Sequence, residues 1–203
     1  MGNSSNKRVR LNPINSDYIG QGDILTNVSY TYEVNITNDK VDVIQFEFPF
    51  VLVLSQSCDL EHGNRLLNKE IKSEAKVMFS AIVVPFFEFD TIRTGKHLHY
   101  LSKYKLMDFN INSDFIQKDE ISVIRNGMHY RYHLLQMATD ENKYPDYIID
   151  FKTFFTLNLN ELQKMKPRRI GRLGDIETQQ IVGKFANFLS RVGISDEKMI
   201  QDE

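Results

Sequence analysis

Cysteine and long apolar runs are scarce in this sequence, and each scarcity excludes a class of protein. Cys58 is the one cysteine in 203 residues, so no intramolecular disulfide can form, and such a composition is typical of a reducing compartment. The longest apolar run, residues 48–54, is far too short to span a bilayer. The polar residues 1–8 lack the apolar stretch of a signal peptide. We therefore expect a cytoplasmic protein that does not bind membranes.

The chain also lacks an excess of charge of one sign. Its formal net charge is −2, so any preference for nucleic acid must come from a local patch. Hydrophobic residues make up 41% and charged residues 26%, which excludes wholesale disorder. The 14 phenylalanines and 9 tyrosines need a substantial core. The length fits one such core, and we expect a polar lead-in over residues 1–21 before a single domain over residues 22–203.

Alternating and continuous apolar segments predict a strand-rich body over about residues 22–160. Residues 28–34 and 41–48 alternate with the period of a strand. Residues 50–54 are continuously apolar and residues 77–84 are apolar except for Ser80, as in strands that are buried on both faces. Pro49 and Pro85 flank these two runs. Since proline lacks a backbone donor, we expect Pro49 to interrupt the ladder and Pro85 to close the second strand.

The later part of the body contains a hairpin signal and one more strand. Asn126-Gly127 separates residues 120–124 from residues 128–135, and an Asn-Gly pair between strand-like runs predicts a β-hairpin. Residues 147–157 are apolar and aromatic and predict a strand. Residues 61–76 fit either a short helix or a loop, and a short helix is possible near residues 100–108.

The C-terminal part predicts an amphipathic helix over about residues 176–192. Asp175 can cap its first turn, and Gly193 lies where a helix would stop. The apolar positions with helical spacing are Ile181, Val182, Phe185, Phe188, Leu189 and Val192. The sequence therefore predicts an α+β fold: a strongly bent antiparallel sheet of five to seven strands, or an SH3-like β-barrel, with this helix packed against it.

Three short motifs in the first half resemble the PemK/MazF-type toxins: GDI at residues 22–24, PFVLVLS at residues 49–55 and AIVVP at residues 81–85. Members of that family are small SH3-like barrels that cut RNA. The resemblance covers about residues 22–87 and implies a bacterial toxin–antitoxin or phage-defence setting.

The catalytic pair of that family is not retained. The family's arginine precedes the first motif's proline, where this chain has Phe48, and its hydroxyl residue follows the second proline by two positions, where this chain has Phe87. A phenylalanine can neither stabilise charge on a phosphate nor assist a proton transfer. The resemblance therefore implies a barrel that does not cut RNA by that mechanism and is used for binding, or for chemistry located elsewhere.

A polar stretch after the first buried strand contains a candidate catalytic group. Cys58 is a possible thiolate nucleophile, with His62 as its base and Asp59 or Glu61 orienting the imidazole. The alternative is a turn that these polar side chains fasten, with Cys58 buried.

The histidines offer a weaker possibility, a metal site. His97 and His99 would share one face of a strand, as would His129 and His133 of the predicted hairpin. These pairs lack the spacing of a known metal motif, so we expect no metal and no other cofactor.

A basic segment lies between the last predicted strand and the C-terminal helix. It consists of Lys164, Lys166, Arg168, Arg169 and Arg172. Arginines suit phosphate contacts, so this segment is the candidate surface for RNA, DNA or an acidic protein. The alternative is a solvated loop whose arginines pair with Asp146, Asp150 or Glu177.

Three functions fit these observations. The first is a non-catalytic binding or accessory protein on a toxin-like barrel, which contacts RNA, DNA or a protein through the basic segment or the C-terminal helix. The second is a nuclease or hydrolase that uses Cys58 and Asp59 with histidines. The third is a structural subunit of a larger assembly. The lost catalytic pair favours the first over the second.

Overall fold

A computed structural model describes residues 8–38, 40–70, 78–99, 103–104, 115–138 and 145–191. Within these ranges the chain forms seven strands: β1 (Asp23–Thr37), β2 (Lys40–Val53), β3 (Ser80–Glu88), β4 (Tyr132–Leu135), β5 (Tyr147–Asp150), β6 (Phe155–Asn158) and β7 (Arg169–Arg172). The α-helices are α1 (Ser57–Leu67), α2 (Phe89–Arg93), α3 (Lys118–Arg125), α4 (Leu159–Lys164) and α5 (Asp175–Arg191). Single 3₁₀ turns lie at Lys96–Leu98, Phe151–Thr153 and Lys166–Arg168.

The seven strands form one antiparallel sheet. Its order is β4-β5-β3-β2-β1-β7, and β6 also pairs with β3. The second half of β3 pairs with β5 and the first half with β6, so the predicted strand over residues 147–157 is broken by the turn Phe151–Thr153. Over the described residues the sheet does not close into a barrel. The α+β fold with a bent antiparallel sheet and a C-terminal helix is confirmed.

Helices cover both faces of the sheet. On the first face, Leu60 of α1, Ile92 of α2, Ile124 of α3 and Leu162 of α4 join one hydrophobic cluster. On the second face, Ile181, Phe185 and Phe188 of α5 join another. The strands contribute side chains to both clusters, because successive side chains of a strand point to opposite faces. Among the described residues, no helix is both long and apolar enough to cross a membrane.

The β1–β2 ladder is interrupted at Pro49 as expected, but neither proline ends its strand, so the expectation that Pro85 closes the second strand is wrong. Pro49 lies within β2 and Pro85 within β3. The pairing of β1 with β2 skips Pro49, and Asn27 in the facing stretch of β1 has φ of 52°. Pro85 is paired with Val51 of β2, but on its other side the β6 pairing of β3 has ended and the β5 pairing has not begun. A strand tolerates proline at such gaps because no ladder bond needs its missing N–H.

The predicted hairpin at Asn126-Gly127 is also wrong, because the residues before it form the helix α3. Gln117 and Glu120 make a capping box at the start of this helix. Gly127 has φ of 70°, and the N–H of the next residue, Met128, bonds to the carbonyl of Val123. This is a Schellman ending. Gly127 therefore supplies the left-handed backbone that both a hairpin and a helix end require.

The lead-in is part of the fold from residue 8 onward. Val9 bridges to Met137, and Asn12 exchanges backbone hydrogen bonds with Arg172. Ile19 is fully buried. The undecided segment after the first buried strand contains α1. Residues 71–77 and most of residues 100–108, where a strand start and a short helix were predicted, lie outside the described residues.

We predict that Gly127→Ala lowers the free energy of unfolding by about 1–2 kcal/mol, because an L-residue pays that cost in the left-handed region. The matched control is Gly183→Ala within α5, where an added Cβ meets nothing within 4 Å. It should raise the free energy of unfolding by about 0.5–1 kcal/mol. Urea unfolding followed by circular dichroism measures both. A neutral or stabilising Gly127→Ala would contradict the helix ending described above.

Candidate functional site

The predicted catalytic residues lie together at the start of α1. Cys58 is exposed, and its Sγ lies 3.8 Å from Gln56 Oε1 and 3.8 Å from Asp59 Oδ1. His62 Nε2 is buried and has no hydrogen-bond partner among the described residues. The thiol is therefore not hydrogen-bonded to that imidazole nitrogen, as a nucleophile–base pair would require. A catalytic role for Cys58, Asp59 and His62 stays a prediction.

The basic segment divides into an inward and an outward part. Arg169 and Arg172 point inward to the buried carboxylate of Asp23. Arg172 Nε lies 2.7 Å from Asp23 Oδ1, and Arg169 Nη1 lies 3.0 Å from Asp23 Oδ2. Arg169 also donates to the carbonyls of Ser16 and Tyr18. The hydrogen bond with Asp23 raises the pKa of Arg172.

The carboxylate that pairs with these arginines is thus Asp23, and not Asp146, Asp150 or Glu177 as proposed for a solvated loop. Two of the five predicted contact residues, Arg169 and Arg172, therefore pair with a buried carboxylate rather than with a partner molecule. Because Arg169 is almost completely buried in this arrangement, we assign it to the structure of the sheet edge rather than to a contact surface.

The other three basic side chains stay at the surface. Lys164 pairs with Glu161 at 2.7 Å, the Lys166 ammonium lies 5.5 Å from the centre of the Tyr18 ring, and Arg168 donates to the carbonyl of Asn27. Exposed ion pairs of this kind contribute little to stability. Their contact with RNA or DNA stays a prediction.

The histidines do not form the predicted pairs. The segment Lys96–Leu98 is a 3₁₀ turn and not a strand. His97 is only 2% exposed and packs against Phe87 and Phe115. Burial lowers the pKa of His97 to about 4, so its imidazole is neutral at pH 7. Over the described residues, no group of three or more His, Cys, Asp or Glu side chains is placed to hold a metal ion.

A second buried carboxylate, Asp150, lies beside His97 at the end of β5. Arg131 binds it through two hydrogen bonds, Nε to Oδ1 at 2.7 Å and Nη2 to Oδ2 at 2.6 Å. The backbone N–H of Lys152 donates to the same carboxylate at 3.0 Å. Asp150 is fully buried, and the pair is enclosed within the first face. It therefore serves the fold and is not accessible to a substrate.

A cleft of about 890 Å³ lies between α5, the end of α3 and β4. Most of its lining is polar: Arg125, Asn126, His133, Gln136, Glu177, Gln179, Gln180, Lys184 and Asn187. Lys184 Nζ donates to the carbonyl of Gly127 at 2.7 Å. Burial, with the nearby Lys184 charge, lowers the pKa of His133 to about 4, and burial lowers the pKa of Lys184. Concave sites with such perturbed groups are candidate ligand sites.

Sequence reasoning missed this cleft for an identifiable reason. The alternation of Tyr132, His133 and Leu134 assigned His133 to the face away from the core. The structure covers that face with α5. Lys184 lies next to the apolar stripe of α5, immediately before Phe185. A titratable residue at the border of an apolar helix stripe was the one signal in the sequence.

We predict that the two buried imidazoles make stability depend on pH. The pKa of His97 and His133 is about 4 in the folded chain against the ordinary 6.5, so the unfolded chain takes up protons first as the pH falls. The stabilisation is complete above pH 6.5 and is lost as the pH falls from there through about 4. The slope approaches about 1.4 kcal/mol per pH unit for each imidazole.

Urea unfolding at several pH values between 7 and 4 measures this slope. His97→Gln should reduce the slope of the unfolding free energy against pH by the amount that corresponds to about one proton. His99→Gln, at an exposed position, should leave that slope unchanged. Identical pH profiles for the native protein and His97→Gln would show that His97 is not held neutral.

We predict that Asp23→Ala lowers the free energy of unfolding by about 3–5 kcal/mol, because it leaves the buried Arg169 guanidinium without its carboxylate. Glu161→Ala removes an exposed partner of Lys164 and should cost no more than about 1 kcal/mol. Chemical unfolding of both variants gives the comparison. Equal costs for the two would refute the central role of Asp23.

No protein-family model matches the chain, and no curated protein matches it. The resemblance to the PemK/MazF-type toxins therefore stays a prediction.

Proposed function

We propose that this protein is a non-catalytic binding and assembly subunit that associates with a second copy of itself. The contact is made by the outer ribbon, which we define as residues 29–37 of β1 and 40–48 of β2. One observation carries the proposal: one face of this ribbon exposes four aliphatic side chains. Exposed and contiguous apolar surface of this kind marks interaction sites.

The outer ribbon extends beyond its neighbours in the sheet. β7 pairs with β1 only over Asp23–Leu25, and β3 pairs with β2 only over Phe50–Val53. β1 and β2 nevertheless stay paired as far as Thr37 and Lys40. Along the described part of the chain, the ribbon therefore has two edges without a strand partner. Open edges and an apolar face together make a template for association.

The exposed aliphatic side chains share one face because of the register. Ile36 lies opposite Val41, and Val34 lies opposite Val43. These side chains are 75%, 62%, 51% and 46% exposed, respectively. Directly opposite residues of an antiparallel pair point to the same face. The four therefore form one patch at the tip, separated from the second-face core by the polar pairs Ser29–Glu47 and Thr31–Gln45.

The distribution of charge favours a second copy as the occupant. The acidic residues Glu33 and Asp42 belong to pairs that alternate with the aliphatic pairs, so they point to the opposite face. Two ribbons that pack their aliphatic faces together therefore keep these acidic groups apart. The patch is small by the standard of stable dimers, so we expect a weak association, with a dissociation constant on the order of 10–100 μM.

The other predicted functions, which are nucleic-acid contact and catalysis, are independent of this association and stay predictions. Contact with RNA or DNA through Lys164, Lys166 and Arg168 is compatible with a dimer, because their segment packs at the other end of β1, against Asn27. The toxin–antitoxin or phage-defence setting rests on the resemblance alone. A nuclease or hydrolase that uses Cys58 would need the thiol and imidazole to approach each other.

We predict that the native protein shows a monomer–dimer equilibrium in sedimentation equilibrium between about 1 and 300 μM. Ile36→Thr with Val41→Thr should weaken the association at least about tenfold, because threonine keeps the strand preference but adds a hydroxyl to the apolar contact. The matched control on the opposite face of the same ribbon is Glu33→Gln with Asn35→Thr, which should leave the association unchanged or slightly stronger.

Circular dichroism verifies that both double variants keep their strands. A native protein that stays monomeric up to 300 μM would overturn the proposal. So would a dimer that Ile36→Thr with Val41→Thr leaves intact.

A further inference from the structure

The cleft beside α5 presents two cationic side chains and one acidic one. Lys184 and Arg125 line it near the end of α3, and Glu177 lines it near the start of α5. Lys184 and Glu177 are seven residues apart on α5, which corresponds to about 10 Å along the helix. Glu177 Oε2 lies so close to Gly174 that a Cβ there would meet it at 2.4 Å. The carboxylate is thus turned toward the helix start and away from Lys184.

Lys184 keeps hydrogen-bonding capacity for a ligand. Its Nζ donates to the Gly127 carbonyl at 2.7 Å, and an ammonium group has three donors. That contact holds the ammonium group at the end of α3, and within the described ranges its two other donors stay available. Arg125, two residues before Gly127, packs its guanidinium 5.6 Å from the centre of the Phe89 ring. Phe89 lines a neighbouring cleft and not the one beside α5, so the Lys184 ammonium is the group placed to bind an anion in this cleft.

His133 adds an unsatisfied polar group to the same cleft. Its Nδ1 is buried and has no hydrogen-bond partner among the described residues. Buried polar atoms normally have a partner in the protein, in ordered water or in a ligand. Nδ1 itself has almost no accessible surface, so a ligand in the cleft would contact other atoms of the His133 ring.

We infer that the cleft between α3, β4 and α5 binds a small polar organic molecule through an oxyanion, either a carboxylate or a phosphate, which lies against the Lys184 ammonium. The rest of the molecule lies along the amides of Gln136, Gln179, Gln180 and Asn187, which offer donors and acceptors to hydroxyl groups. The cleft volume, about 890 Å³, is within the range of small-molecule sites. This site is separate from the outer ribbon and does not depend on dimer formation.

Titrations followed by NMR of the backbone amides and of the imidazole nitrogens test the site. The probes are inorganic phosphate, glycerol 3-phosphate and succinate, with sodium chloride at equal ionic strength and glycerol as references. We expect saturable shifts at Gly127 and His133 with at least one of the three anions, and no saturation with chloride or glycerol. Comparison of the phosphates with succinate shows which oxyanion the site prefers.

Variants test whether Lys184 is responsible for the NMR shifts. Lys184→Gln should weaken the binding at least about fivefold, Lys184→Arg should restore most of it, and Lys164→Gln, at the exposed ion pair with Glu161, should not change it. Glycerol 3-phosphate should bind more tightly than inorganic phosphate if the amides contact its hydroxyl groups. The inference is overturned if all three anions act no differently from chloride, or if Lys184→Gln binds as the native protein does.

Discussion

Asp23 lies at the start of β1 with its carboxylate out of solvent, and groups from distant parts of the chain donate to it. The N–H of Gly20 bonds to it at 2.8 Å, and Arg169 and Arg172 reach it from β7. A buried carboxylate is costly unless it is paired and hydrogen-bonded. The position of β7 and the path of the lead-in therefore follow from this one charge, since Arg169 also holds the carbonyls of Ser16 and Tyr18.

The opposite edge of the sheet repeats the arrangement. Arg131 immediately precedes the edge strand β4 and binds Asp150 at the end of β5. The two end strands of the order β4-β5-β3-β2-β1-β7 are thus each held to the neighbouring strand by a buried carboxylate–arginine pair. Such pairs add little net stability compared with apolar residues, but the loss of one partner is expensive. They restrict how the edges can pack, and this restriction positions β4 as one wall of the cleft beside α5.

The surfaces that are available for function lie away from these two buried carboxylate–arginine pairs. The outer ribbon carries its aliphatic patch beyond the covered part of the sheet, and the cleft lies where α5 crosses β4. Arg169 and Arg172 bind Asp23, although the sequence predicted them to contact a partner. The proposed roles are therefore binding and assembly, with the ribbon and the cleft acting separately.

Local periodicity in the sequence determined the apolar strands and the C-terminal helix, because those patterns reflect backbone geometry that short segments impose on themselves. Local signals that fit two structures led to wrong predictions. Gly127 fits both a hairpin and a helix end, and only the capping box of α3 distinguished the two. Tertiary structure alone decided what covers each face: the alternation around Val43 and that around His133 look alike, yet one face meets solvent and the other meets α5. Long-range packing sets that difference, and a period of two residues carries no information about it.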